Sequence, residues 1–146
     1  MYKVKDSNSK IIDNAKDYFG VNFPDDQPLD QAYLHIGIFI GWAIEKDFLD
    51  EEFNDEFFSL FIRFKNRDIT SIILAETLDG VVEIDFFNTK AQDFVRNYYS
   101  SGEYVHDYKN ILGKSLDSIF HVEDSWKNYD TMKAIIEKKY MLWLKS

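Results

Sequence analysis

The sequence predicts an all-α protein, an irregular bundle of six to seven helices around a central apolar helix at residues 30–48. Two observations support this fold class. Apolar side chains recur every three or four residues through most of the 146-residue chain, which is the period of an amphipathic helix. Residues 32–44, which read AYLHIGIFIGWAI, are apolar on every side, as expected of a helix that neighbouring helices cover completely.

The first predicted helix spans residues 11–19 and ends at Gly20. Its apolar residues fall on one helical stripe, and glycine is common just after a helix. The following stretch, VNFPDDQP, contains two prolines and an Asp-Asp pair and is predicted to be a loop. The central helix follows it. Gly37 and Gly41 lie four residues apart in that helix, so we expect another helix to approach it closely there.

Residues with capping side chains mark the starts of the later helices. We predict N-caps at Asp50, at Thr70 or Asp68, at Asn88, and at Asp124 or Ser125. A further helix carries Tyr104 to Leu112 and ends at Gly113. The segment VVEIDFF at residues 81–87 has the β-branched content of a strand, but no second run of this character offers it a partner. We therefore predict an extended connection there.

Length and composition predict one globular domain over residues 1–146, with residues 1–9 as a flexible N-terminal arm. The absence of cysteine excludes disulfides, thiolate metal sites and a Cys nucleophile. The N-terminal stretch MYKVKDSNSK lacks the apolar segment of a secretory signal. The central helix is shorter than the roughly 20 apolar residues that cross a bilayer. We expect a cytoplasmic protein with no membrane association and no cofactor.

The net charge of −9 is concentrated in one part of the chain. Residues 21–60 contain ten acids and one base, and the other residues contain 16 of each. Such a concentrated field favours a basic protein partner and disfavours nucleic acid, whose phosphates it repels. The densest acidic segment is DFLDEEFNDE. We predict that it forms a partner-binding face made of Asp47, Asp50, Glu51, Glu52, Asp55 and Glu56.

The common motifs for nucleotide binding, serine hydrolysis and zinc proteolysis are absent from the sequence. Glu103 and His106 form one Glu-x-x-His pair, whereas a di-iron bundle needs two, so no metal site is predicted. The chain is not expected to be an enzyme. The alternative hypothesis is an enzyme or a small-ligand-binding protein with a pocket between helices, around His35, Trp42 and Trp126.

Two segments resemble a family of small, acidic, uncharacterised bacterial helical proteins. The first is NFPDDQPLDQAYLHIGIFIGWAIEKDFLDEEF, with its Phe-Pro loop and His-Ile-Gly helix, and the second is VEDSWKNYDTMKAIIEKKYMLWLKS, with its Trp-x-Asn-Tyr opening. The resemblance implies a single helical domain and supplies no established activity. The matching positions are His35, Ile36, Gly37, Trp42, Trp126, Asn128, Tyr129 and Trp143.

These observations together predict a non-catalytic protein-binding module. The most concrete form of this hypothesis is an immunity protein that neutralises a basic bacterial toxin, such as a nuclease. A nuclease cleft must attract phosphates and is therefore basic, so an inhibitor can occlude it with carboxylates. The oligomeric state is left open.

Overall fold

The computed structural model describes residues 10–146, and the predicted arm at residues 1–9 lies outside the described residues. Seven α-helices and two short strands form the described part of the chain, which confirms the predicted all-α fold class. The helices are α1 (Leu34–Glu45), α2 (Glu51–Glu56), α3 (Phe58–Lys65), α4 (Ser71–Thr77), α5 (Thr89–Val95), α6 (Glu103–Ile111) and α7 (Trp126–Leu144). The strands are β1 (Ile11–Asn14) and β2 (Val81–Glu83).

Helix α1 is the centre of the molecule, as predicted. Every residue from Leu34 to Ile44 is buried, and the helix packs against α3, α4 and α7. It is shorter than the predicted residues 30–48, because a 3-10 turn, Leu29–Tyr33, precedes it. At its other end Asp47 adopts a left-handed φ of 57°. The Phe48 N–H then bonds the Ala43 carbonyl at 2.9 Å, which closes the helix as a Schellman motif.

The two glycines of α1 face different neighbours at very short range. A Cβ atom at Gly37 would lie 1.9 Å from the Ser71 carbonyl oxygen, at the start of α4. A Cβ atom at Gly41 would lie 2.5 Å from the Phe64 ring of α3 and 2.8 Å from the Tyr129 ring of α7. The expected close approach is confirmed, and it involves three helices.

The predicted first helix at residues 11–19 is wrong. Residues Ile11–Asn14 form β1, and a 3-10 turn, Ala15–Tyr18, follows. Strand β1 pairs antiparallel with β2, with Asp13 opposite Val82, so the expectation that residues 81–87 lack a strand partner is also wrong. The two strands are far apart in the chain, and each has too few apolar residues to show a β period by itself.

The predicted helix caps agree with the structure more closely than the predicted helix boundaries do. The helix predicted to begin after Asp50 is divided at Phe57 into α2 and α3, and the Phe61 N–H bonds the Phe57 carbonyl at 3.0 Å at the start of α3. Four predicted caps are confirmed, since each cap side chain accepts a hydrogen bond from the backbone N–H three residues later: Asp50, Thr70, Asn88 and Ser125.

Candidate functional site

The predicted acidic face is built on α2 and the turn before it. Asp50 caps the helix by accepting a hydrogen bond from the Phe53 N–H at 3.1 Å. Glu51 and Glu52 occupy the first turn, where carboxylates complement the helix dipole. A shallow surface depression is lined by five of the six predicted acids: Asp50, Glu51, Glu52, Asp55 and Glu56.

Asp47, the sixth acid, lies beside this depression and has a structural role. It occupies the left-handed position that ends α1, and its carbonyl accepts a hydrogen bond from the Asn88 side chain at 3.1 Å. A second depression is lined by Ile44, Asp47, Leu49, Glu51 and Asn54. Glu51 thus lines both depressions, and the structure brings the six predicted acids together on one side of the molecule.

The charge of this face is left unneutralised at three positions. Within residues 10–146, the side chains of Glu51, Glu52 and Asp55 form no ion pair, and all three are exposed. Four acids of other elements lie within 3.2 Å of a basic side chain: Glu45 near Lys133, Glu137 near Lys46, Asp130 near Arg67 and Glu103 near Lys139. The field of α2 is therefore directed at the solvent.

Exposed apolar side chains occur on α3, the helix that follows the acidic α2. Phe58 is 55% exposed and Ile62 is 36% exposed. Phe57, with φ −112° and ψ 28°, separates the two helices. Its N–H donates to the Phe53 carbonyl at the end of α2, and its carbonyl accepts from the Phe61 N–H at the start of α3. An exposed aromatic side chain thus follows the acids of α2 directly in the chain.

The alternative pocket residues do not come together. His35 contacts the rings of Tyr18 and Tyr108. Trp42 packs among Phe39, Phe48, Phe94 and Tyr140 and donates its N–H to Glu137 at 3.1 Å. Trp126 packs on Phe64 and Tyr129 beneath the Arg67 guanidinium. Within residues 10–146, no ring contact joins any two of these three side chains directly.

His35 belongs to a buried polar network whose members lie far apart in the sequence. Its Nε2 donates to Asp13 Oδ2 at 2.9 Å. Asp13, on β1, also accepts hydrogen bonds from the hydroxyls of Tyr18, at 3.0 Å, and Tyr99. The Tyr104 hydroxyl donates to the His35 carbonyl at 2.5 Å. These contacts join β1 to α1, α6 and the π-helical turn Arg96–Ser100.

Burial and hydrogen bonding act in opposite directions on the Asp13 carboxylate. Burial by itself raises the pKa of Asp13, but the hydrogen bond and charge of His35, with the two tyrosine hydroxyls, bring this pKa below its ordinary value. Burial and the Asp13 charge raise the pKa of Tyr99 well above the usual value for tyrosine. The network therefore holds one carboxylate ionised among neutral phenols.

The structure shows no assembled metal centre among residues 10–146, where no group of three potential ligands occurs. Of the single Glu-x-x-His pair, Glu103 binds Lys139 at 2.9 Å and His106 contacts the Asn110 amide at 3.0 Å. In the same residues, none of the helices is both long and apolar enough to cross a membrane.

One comparison with known proteins identifies the family. The model of a single protein family matches residues 11–122, more than three quarters of the chain. The chain belongs to the family described as Domain of unknown function (DUF7832). Its match includes β1, the acidic face and helices α1 to α6. No curated protein and no solved structure matches the chain.

The DUF7832 match ends before α7, but this helix is part of the same core. Its residues Tyr129, Met132, Ile136 and Tyr140 are buried, and they join one apolar cluster with the buried residues of α1, α3 and α5. Glu137 of α7 also bonds both Trp42 and Lys46 of the central helix segment. The folded unit of this chain is thus larger than the matched region.

Proposed function

We propose that the chain is a binding protein that holds a basic protein partner on its acidic face. The observation that supports this proposal is the density of exposed acids on one short helix: Glu51, Glu52 and Asp55 lie within five positions of α2, and none forms an ion pair within residues 10–146. Clustered, exposed carboxylates attract a basic protein surface. This attraction raises the association rate and favours the complex.

The partner that fits this face best is the cleft of a basic bacterial toxin, which makes the chain an immunity protein. A nuclease cleft binds phosphates, so carboxylates spaced along a helix can take the place of a nucleic acid backbone. Phe58 of the following helix adds an exposed aromatic side chain, and aromatic residues are enriched at protein interfaces. Cytoplasmic residence and bacterial origin belong to the same proposal.

The test is a charge reversal of the face with a matched control. The chain is used to capture its partner from an extract of the source organism, and the affinity for the purified partner is measured at low and moderate salt. In the face variant, Glu51, Glu52 and Asp55 are changed to Lys. In the control variant, three exposed acids outside the face, Glu76, Asp117 and Glu123, are changed to Lys, so both variants have the same net charge.

We expect the face variant to lose at least about 100-fold in affinity, because three like charges then oppose the partner. The control variant should lose far less, and added salt should weaken the wild-type complex. Both variants should remain folded, since exposed charges contribute about 0 to 1 kcal/mol each to the free energy of unfolding. Equal affinities of the two variants would contradict the proposal, as would a captured partner that is acidic.

A further inference from the structure

A serine, a histidine and an aspartate meet at one short 3-10 turn, Ile119–His121. The Ser118 Oγ lies 2.8 Å from Nδ1 of His121. The other ring nitrogen, Nε2, lies 3.0 Å and 3.2 Å from the two carboxylate oxygens of Asp26. Asp26 belongs to the loop between the first 3-10 turn and α1, so the long-range fold completes this group.

The contacts give each ring nitrogen of His121 a defined role. A carboxylate accepts hydrogen bonds, so Asp26 holds the proton of the neutral ring on Nε2. Nδ1 is then the acceptor and faces the Ser118 hydroxyl, which donates to it. This is the order of nucleophile, general base and orienting carboxylate that activates serine in acyl transfer.

The surroundings hold this arrangement in place. The Phe120 N–H donates to the Ser118 Oγ at 3.1 Å, a contact that favours negative charge on that oxygen. The Gln31 side chain donates to the carbonyls of Phe120 and Val122 at 2.8 Å and 2.6 Å. The Phe120 ring packs on Phe23 at a centroid distance of 4.7 Å. The His121 side chain is 15% exposed, so the ring is supported by packing and still reaches the surface.

We propose that Ser118 is an activated nucleophile toward activated acyl esters, with His121 as its base and Asp26 as the positioning carboxylate. The Ser118 Oγ forms a bond to the carbonyl carbon, and its proton passes to His121 Nδ1. The ester C–O bond breaks, and the alcohol leaves with that proton. Water then releases the acyl group as the acid. The proposal adds an activity to a chain whose sequence predicts none, and it is independent of the acidic face on α2.

A competing explanation is a local helix cap, because a serine three residues before a hydrogen-bonding side chain is also a capping arrangement. The chain contains a matched control for it. Ser125 caps α7 by accepting from the Asn128 N–H at 3.1 Å, and no histidine contacts its hydroxyl among the described residues. The two serines share the capping role and differ in the histidine.

The experiment treats the full chain with a fluorophosphonate and locates the modified residue by peptide mass spectrometry. The Ser118 Oγ forms a bond to phosphorus, the P–F bond breaks, fluoride leaves, and the proton passes to His121. We expect modification of Ser118 and none of Ser125. His121→Gln should slow the modification about 100-fold or more, since a general base contributes roughly that factor. Asp26→Asn should give an intermediate rate.

Three results would each overturn the proposal and leave a capping hydrogen bond only. These are no modification of Ser118, equal modification of Ser118 and Ser125, and a rate that His121→Gln leaves unchanged. Thermal unfolding of each variant checks the fold. If His121→Gln disturbs the turn, Asp26→Asn still tests the proposal. Asp26 is 70% exposed and Asn has nearly the same shape, so this change should leave the fold intact.

Discussion

At the scale of single residues, the Asp13 side chain joins several segments of the chain through polar contacts. Its side chain is 8% exposed and accepts from His35, Tyr18 and Tyr99, which belong to three different segments of the chain. A buried carboxylate is stabilised only when such donors surround it. Asp13 therefore attaches the strand β1 to the helical body.

We predict that Asp13→Asn lowers the free energy of unfolding by about 3 kcal/mol at neutral pH, because a neutral amide replaces the buried carboxylate that accepts from three donors. The folded-state pKa of Asp13 is lowered below its ordinary value of 3.8. The ionised carboxylate therefore contributes fully to the free energy of unfolding above pH 3.8, and this contribution is lost as the pH falls through the lowered pKa. The difference between wild type and Asp13→Asn should shrink on acidification.

The measurement is urea unfolding of both proteins at pH about 7 and about 3. Asp17→Asn is the control, since Asp17 is exposed and its change should stay within about 0.5 kcal/mol. If the difference between wild type and Asp13→Asn stayed the same at both pH values, the charge of Asp13 would have no part in the stability.

At the scale of secondary structure, the glycines of α1 decide how closely the helices pack. The Gly37 Cα faces the backbone of Ser71, and a backbone atom cannot move aside as a side chain can. Gly41 faces the ends of the Phe64 and Tyr129 rings, and side-chain atoms can shift more easily than backbone atoms. The same helix thus has one position that tolerates no side chain and one that tolerates some adjustment.

We predict that Gly37→Ala costs about 3 kcal/mol or more in the free energy of unfolding, through overpacking against α4. Gly41→Ala should cost less, about 1 to 3 kcal/mol. A Cβ atom at Gly20 would meet no other part of the protein within 4 Å. Gly20→Ala is therefore the control, and its effect on the free energy of unfolding should be neutral or slightly stabilising. Chemical denaturation gives the three values. Equal costs at Gly20 and Gly37 would show that α1 and α4 do not approach as described.

Helices α2 and α3 each have buried residues that hold the fold and exposed residues that are available to a partner. Phe53, Phe61 and Phe64 are buried and hold the pair against the core. Glu51, Glu52 and Asp55 of α2 and Phe58 of α3 are exposed. Asp50 serves the fold as a cap, so a change at Asp50 alters stability as well as charge.

At the scale of the whole molecule, α7 completes the core although the family match ends at residue 122. Ile136 is fully buried, whereas Met141 is 46% exposed on the same helix. We predict that Ile136→Ala lowers the free energy of unfolding by about 2 to 5 kcal/mol, because it removes buried methyl groups and leaves a cavity.

Met141→Ala is the control for this prediction and should change the unfolding free energy by less than about 0.5 kcal/mol. Both values come from the midpoints of urea unfolding curves. A small effect of Ile136→Ala would mean that α7 is an appendage of the matched domain and that the core is complete without it.

The features that the sequence determined by itself are those with a local cause. The apolar run of α1 predicts a covered helix because burial on all sides needs apolar residues on all sides. The caps at Asp50, Thr70, Asn88 and Ser125 are set by hydrogen bonds within three residues, so the sequence shows both partners. The clustering of acids is likewise visible, because adjacent residues of one short helix stay adjacent after folding.

The features that only the tertiary structure decided depend on residues far apart in the chain. Strand β1 pairs with β2, Tyr99 reaches Asp13 across 86 positions and His121 reaches Asp26 across 95 positions. Ser118 and His121 show a Ser-x-x-His spacing in the sequence, but the carboxylate that orients the ring is not near them in the chain. Helix packing decides which acids pair with a lysine and which remain available to a partner. A salt bridge needs two side chains within about 4 Å, and the sequence does not show which distant segments lie that close.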